Sequence, residues 1–175
     1  MIITDELDTP VGQMRIGVDP ETETLVLLDF HDRKEIDKLV QQRIDVLGDL
    51  QPGHHDLIEQ TKQQLRQYFA GKRQQFDLPI QFIGTDFQKT VWEALRRIPY
   101  GHTVSYGELA EKLDKPAGAS RAIGAANGKN VIAIVVPCHR VIGADGSLVG
   151  YGGGMERKKF LLDHESSAAS LDDYF

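Results

Sequence analysis

Apolar positions along the chain switch between a period of two and a period of three to four, and the switches mark out its elements. Residues Val11 to Val18 alternate, Asp19-Pro20-Glu21 supplies a turn, and Thr24 to Phe30 forms a second apolar run, so a small antiparallel sheet is predicted. Ile36, Leu39, Val40, Ile44 and Leu47 repeat at helical spacing, and Pro52-Gly53 should end that helix. Asp56, with Glu59 three residues on, reads as the cap of a second helix, whose stripe of Leu57, Ile58, Leu65, Tyr68 and Phe69 stops at Gly71. Phe76 to Ile83 is extended, and its Pro79 suits an edge or linker.

Beyond Gly84 the pattern becomes mostly helical. Thr85 with Gln88 is a capping box for a helix carrying Phe87, Val91, Trp92, Leu95 and Ile98 on one face, with the lone Trp read as core. Ser105 with Glu108 caps another, which Asp114-Lys115-Pro116 breaks. Ala117 to Gly128 then reads as a short helix of small residues. Two short helices joined by a tight turn form a helix-turn-helix candidate, with an ordinary helical hairpin as the alternative. Met155 to Glu165 is a closing helix with Phe160, Leu161 and Leu162 inward, and Ser166 onward is a polar tail expected to fray. The fold class is therefore α+β. An N-terminal domain over 1–84 holds a small antiparallel sheet with helices. A mostly helical C-terminal domain over 85–165 holds the helix-turn-helix, and an acidic tail covers 166–175.

Composition narrows the function. No apolar run approaches the roughly 18 residues of a membrane span, and the N-terminus lacks the pattern of a signal peptide, so the expected compartment is the cytoplasm. The net charge of −6 is unevenly spread: residues 1–84 carry 9 Lys+Arg against 15 Asp+Glu, whereas residues 85–175 carry 11 of each. Between Lys115 and Ala144 there is no acidic residue, and Lys115, Arg121, Lys129 and Arg140 leave that span at +4. A local basic face can hold phosphates despite an acidic total.

A single cysteine excludes an internal disulfide and a thiolate-rich zinc cluster, so Cys138 is either filler or a reagent. His54-His55, lacking further ligands at metal spacing, are read as solvated loop residues. A catalytic thiol needs a base or positive surroundings to become thiolate. His139 and Arg140 follow at once. His139 can act through a water or by local chain curvature, and Glu165 at the end of the last helix can orient its ring. Gly150-Tyr151-Gly152-Gly153-Gly154 is either a flexible turn or a wall where backbone approaches a flat ligand.

From about Thr85 to Glu165 the chain resembles the O6-alkylguanine-DNA alkyltransferases, in their small bacterial form without a regulatory domain. The most specific block is Pro137-Cys138-His139-Arg140-Val141-Ile142-Gly143. Supporting blocks are Thr85-Asp86-Phe87-Gln88, Tyr100-Gly101, Ser105-Tyr106, Ser120-Arg121-Ala122-Ile123-Gly124, Asn130, Gly150-Tyr151-Gly152-Gly153 and Leu161 to Glu165. The resemblance implies a monomer that needs no cofactor, metal or obligate protein partner. It would bind double-stranded DNA at the minor groove, flip out O6-alkylguanine, with O4-alkylthymine a further substrate, and move the alkyl group irreversibly to Cys138.

It further implies roles by position. Cys138 would be the acceptor, His139 the base through water, Glu165 its orienter, and Asn130 a hydrogen-bonding group near the thiol. Tyr106 would help turn out the base and donate to it. Arg121 would enter the stack, flanked by Ser120, Ala122 and Gly124, with Lys129 and Arg140 also on the DNA side. Carbonyls of Cys138 and Val141 and the loop of Tyr151, Gly152 and Gly153 would contact the base. Two departures stand out. Val131 follows Asn130 where the family often has Pro, and Gly152 replaces a Ser of some relatives, which leaves room for larger adducts. An alkyltransferase-like lesion binder is disfavoured by the intact Cys138, a cysteine hydrolase by missing signatures, and a sequence-specific regulator remains a rival for the helical pair.

Overall fold

The computed structural model describes residues 1–172, without the side chains of Ala117 and of residues 167–172. The chain divides into two compact units, one over Met1–Ile83 and one from Gly84 onward.

The first unit is a four-stranded sheet in the order β3-β2-β1-β4, with β1 at Ile2–Thr9, β2 at Gly12–Asp19, β3 at Thr24–Phe30 and β4 at Leu50–Pro52. β1, β2 and β3 form an antiparallel meander, whereas β4 pairs with β1 in parallel. β1 is an element the sequence reading missed: Ile2, Thr4 and Leu7 are its buried positions, and the acidic residues among them mask the alternation. In β3, every residue from Leu25 to Phe30 is buried, including Asp29, which takes a 2.7 Å ion pair from Arg33.

Helices α1 (Ile36–Leu47) and α2 (Asp56–Phe69) complete this unit. α1 ends earlier than expected, because Gly48 at φ +99° stops it and Pro52 belongs to the edge strand β4, where a missing N–H is harmless. The cap of α2 is His55, whose Nδ1 accepts from the Leu57 N–H at 3.0 Å, while Asp56 is already the first helical residue. Half of the histidine pair thus has a structural task; His54 is exposed.

The second unit opens with α3 (Asp86–Leu95), and its capping box of Thr85 and Gln88 is present in both directions. Trp92 is 2% exposed and its indole N–H donates to the Ala126 carbonyl at 2.9 Å, which ties α3 to a later helix. β5 (Val104–Ser105) leads directly into α4 (Tyr106–Lys112), where the Ser105 hydroxyl accepts from the Glu108 N–H. Asp114, at φ +55°, turns the chain after α4. A 3₁₀ turn (Ala117–Ala119) and α5 (Ser120–Asn127) follow, and α5 packs on both α3 and α4. After the cysteine region, β6 (Val141–Ile142) pairs in parallel with β5 in the register Val104 to Val141 and Ser105 to Ile142.

The closing helix α6 spans Met155–Asp172, so residues 166–172 continue the helix instead of fraying, and residues 173–175 lie outside the described residues. Its buried face also differs from the expected one. Three consecutive side chains cannot share one helix face. Leu161 is fully buried and Leu162 half-buried, while Phe160 is 41% exposed and stacks on His164. The positions one turn before and one turn after Leu161 are Lys158 and Glu165, 0% and 1% exposed. Among the described residues no helix is long and apolar enough to cross a membrane.

Candidate active site

An apolar run, Val131 to Val136, delivers the thiol, yet it is not a strand. Ile134 sits at φ +71°, and the Val135 N–H bonds the Ala133 carbonyl across it at 2.8 Å, a tight three-residue turn rarely adopted by a β-branched residue. Pro137, at φ −82° and ψ 64°, makes a second such turn, with the Cys138 N–H on the Val136 carbonyl at 2.8 Å. Asn130 braces the run. Its side-chain oxygen accepts from the Ile132 N–H and its nitrogen donates to the Val136 carbonyl, both at 3.0 Å, so its placement beside the thiol in the sequence reading becomes one of holding the loop that carries it.

Cys138–Arg140 form a single 3₁₀ turn, so the chain curves here and His139 is not forced to the face opposite the thiol. Cys138 is 5% exposed. His139 is fully buried, with Nε2 at 2.7 Å from Glu165 Oε2. Its Nδ1 is buried without a hydrogen-bond partner among the described residues. Burial pushes the His139 pKa below the usual 6.5, and Arg140 and Lys158 add to that against the pull of Glu165. Burial would raise the Glu165 carboxyl, but the hydrogen bonds and charges of His139 and Arg140 hold it far below the ordinary carboxylate range. An ionised Glu165 fixes the proton of a neutral His139 on Nε2 and leaves Nδ1 as a free basic nitrogen.

Arg140 is where the structure corrects the sequence reading. It is 5% exposed, its Nε and Nη2 donate to Glu165 at 2.8 and 3.1 Å, and its Nη1 donates to the Ile98 carbonyl at 2.7 Å. The Tyr100 ring covers the guanidinium at 5.7 Å. A side chain so enclosed is not a DNA contact; it fixes Glu165.

Tyr106 is half-buried at the start of α4. Burial raises its pKa, a negative charge at Cys138 raises it further, and a hydrogen bond with Asn127 acts the other way, so the phenol keeps its proton. Asn127 also donates to the Cys138 carbonyl at 3.4 Å. The Val141 carbonyl, expected to face the base, accepts from Lys158 Nζ at 2.5 Å. On α5, Arg121, Ala122 and Ala125 are exposed, and Ser120 and Gly124 are half-buried, which leaves a slim outer face bearing one arginine; Lys129 just beyond is half-buried.

Tyr151, Gly152 and Gly153 are half-buried in a loop that takes positive φ at Gly150 (+50°) and Gly154 (+97°), not at Gly152. The loop is anchored by α6: Arg157 donates to the Gly153 carbonyl at 3.1 Å, and Lys158 to those of Val149 and Gly150. Sequence reasoning missed Lys158, Arg157 and Asn127. The signal for Lys158 was its spacing of seven from Glu165 with Leu161 between, one helix face whose ends are charged. Among the described residues no group of three or more His, Cys, Asp or Glu side chains is arranged to hold a metal.

Comparison with known proteins follows the same two units. The model of the 6-O-methylguanine DNA methyltransferase, ribonuclease-like domain, matches residues 6–82, and that of the 6-O-methylguanine DNA methyltransferase, DNA binding domain, matches residues 86–167. The chain is 59% identical over 109 residues to the methylated-DNA–protein-cysteine methyltransferase of Mycobacterium tuberculosis, an alignment covering 62% of this chain and 66% of that protein. That is just under two thirds of the mycobacterial relative's length. With the enzyme of the same name from Shigella flexneri it shares 43% identity over 177 residues, covering 94% and 95% of the two chains. In three dimensions it is similar to the crystal structure of M. tuberculosis OGT in complex with DNA, at a TM-score of 0.81 and 41% identity over 95% and 94% of the chains. The O6-methylguanine-DNA methyltransferase of the hyperthermophilic archaeon Pyrococcus kodakaraensis gives a TM-score of 0.70 at 27% identity, over 94% and 99%. Since these likenesses run through both units and nearly the full length of the Shigella flexneri enzyme, the chain belongs to the 6-O-methylguanine DNA methyltransferase family.

Proposed function

We propose that this chain repairs O6-alkylguanine in duplex DNA, with Cys138 as the acceptor. The observation that carries the reading is the bonding around the thiol: Cys138 shares a 3₁₀ turn with His139, whose Nε2 is held by Glu165 at 2.7 Å and whose Nδ1 is left over. The thiol proton passes through a water to Nδ1. The thiolate attacks the alkyl carbon, a C–S bond forms, and the C–O6 bond breaks with its electron pair going to guanine. Guanine gains a proton at N1, so the proton lost by sulfur is balanced by the one the base takes up. No step returns the thioether to a thiol, and each molecule acts once.

The remaining roles follow from position. The protein acts as a monomer in the cytoplasm and approaches the minor groove with α5. Arg121 fills the stack left by the flipped base, the small Ser120, Ala122 and Gly124 permit close approach, and Lys129 adds charge toward the phosphates. Tyr106, kept protonated, donates to the base. The carbonyl of Cys138, and that of Val141 through the lone pair Lys158 does not occupy, face the guanine amino group, and the Gly152 N–H and the backbone of Tyr151 and Gly153 form the opposite wall. O4-alkylthymine fits the same reaction. The test is mass spectrometry of the peptide containing Cys138 after incubation with an O6-methylguanine oligonucleotide. A gain of one methyl group on Cys138 is expected, and an unmodified peptide overturns the proposal. Arg121→Ala should slow lesion processing more than it weakens binding to undamaged DNA; equal losses would refute its role.

A further inference from the structure

The glycine-rich wall is tied to α6 at its C-terminal end by a side chain that has no part in the transfer itself. Arg157, half-buried in the first turn of α6, curls back and gives its Nη1 to the Gly153 carbonyl at 3.1 Å. A series of main-chain bonds continues from that carbonyl. The peptide joining Gly153 to Gly154 carries the Gly154 N–H on its other side, and this N–H donates to the Tyr151 carbonyl at 3.0 Å. The peptide joining Tyr151 to Gly152 in turn carries the Gly152 N–H, which meets no main-chain acceptor among the described residues.

In a trans peptide the carbonyl and the N–H point opposite ways, so fixing one aims the other. Arg157 holds the Gly153 carbonyl toward α6, which turns the Gly154 N–H into the loop. The Tyr151 carbonyl pinned there sends the Gly152 N–H away from the turn. Gly154 can hold this arrangement because it sits at φ +97°, where a side chain would bring strain, and its own carbonyl accepts from the Lys158 N–H at 3.1 Å. Peptide groups bonded in series polarise one another, and a bond from a cation is roughly twice as strong as one between neutral groups. An arginine at the head of the series therefore draws electrons along both peptides and leaves the last N–H a stronger donor.

We propose that Arg157 sets the direction and strength of the Gly152 N–H donor through two peptide groups, so that the wall stabilises the negative charge reaching O6 of guanine as its bond to the alkyl carbon breaks. This rests on Gly152 being part of the wall that meets the base. Arg157 touches neither guanine nor alkyl group and is a positioning residue. It adds no atom to the reaction: sulfur takes the alkyl carbon, the electron pair of the broken bond goes to guanine, and the Gly152 proton stays on its nitrogen.

The experiment uses the full chain in single-turnover transfer from two oligonucleotides, one with O6-methylguanine and one with S6-methyl-6-thioguanine, whose sulfur is a weak hydrogen-bond acceptor. Deleting an oxyanion donor outright costs about 10²–10³ in rate, so weakening one at a distance should cost about fivefold. In Arg157→Met, which keeps the stem and loses donor and charge, transfer from the oxygen substrate should fall about fivefold relative to transfer from the sulfur substrate. Arg157→Lys, which keeps a cationic donor, should restore most of that ratio. A ratio equal to the wild type's, whatever the absolute rates, means that Arg157 merely holds the loop and overturns the proposal.

A second readout needs neither DNA nor transfer. In the amide proton–nitrogen correlation spectrum of the full chain, the Gly154 and Gly152 protons should both move upfield in Arg157→Met, Gly154 more than Gly152, because each peptide loses polarisation from the one before it. A Gly152 resonance that stays in place overturns the proposal. Should Arg157→Met fail to fold, Arg157→Gln, which keeps a neutral donor, is read in the same way for the loss of charge alone. Because this spectrum is recorded without lesion DNA, failure here is distinct from failure of Cys138 to accept a methyl group.

Discussion

The two units of the chain are held together by different physics. In the first, the interior is apolar and regular: Met14, Ile16 and Val18 on β2, Leu25 to Leu28 on β3, and Leu57, Ile58, Leu65 and Tyr68 on α2 are all buried. In the second, the stretch from Asn130 to Gly154 has two residues of strand and one 3₁₀ turn, and its shape is set by buried polar side chains. Asn130, Arg140, Lys158 and Glu165 are each 5% exposed or less, and each bonds a main-chain carbonyl or another member of the set. Apolar packing is tolerant of shape but cannot aim a nitrogen at a sulfur. Directional bonds can, at the risk that loss of one partner strands another in a dry interior.

Breaking the polar set should therefore hurt most. Glu165→Gln removes the charge that both His139 and Arg140 bond, and it should cost about 3–5 kcal/mol of stability. The transfer rate should fall by more than an order of magnitude in molecules that remain folded, as read by denaturation and by single-turnover methyl transfer. A rate unchanged in folded protein would remove Glu165 from the proton path. In the apolar unit, Leu28→Ala should cost about 2–5 kcal/mol with the rate of folded molecules unaltered, which separates packing from chemistry.

Asn130→Ala, leaving the Val136 carbonyl and Ile132 N–H unpaired by that side chain, should cost about 1–3 kcal/mol and slow transfer. Thr85→Ala removes the accepting half of a capping box at an exposed helix start, and should cost about 1 kcal/mol with no effect on rate. Mild acidification should do least. His139 is a base whose folded pKa is lowered, so it stays neutral through pH 6.5, and the rate should hold there and decline only at lower pH. For stability, the unfolded chain binds the extra proton first, so stability erodes as pH drops below 6.5, and further as the lowered carboxyl of Glu165 is forced to protonate below 4.5. A rate that already halves between pH 8 and 7 would contradict a neutral resting His139.

The same contrast explains what could be read from the sequence. Helices α2 and α3, with caps and stripes of Leu, Ile, Val and Trp, announce themselves because apolar burial follows a period. β1 did not, since Asp5, Glu6 and Asp8 interrupt its alternation. The core of the site was legible in its chemistry, a lone Cys with His behind it, together with the blocks it shares with a known family. Its supports were not. Arg140 looked like a surface cation and α6 like a helix burying Phe160, because charged side chains are assigned to water by default. Only coordinates show that the Lys158 and Glu165 stripe faces inward.

The pairing of β5 with β6 bears on how freely this protein can change. Val104 and Ser105 are joined to Val141 and Ile142 through main-chain hydrogen bonds, and Tyr106 begins one residue beyond, so the spacing between the helix that presents the phenol and the turn that presents the thiol is written in backbone. Side-chain substitutions do not erase backbone bonds. Sequence drift can accordingly replace the side chains around these two elements while the backbone that separates Tyr106 from Cys138 stays fixed.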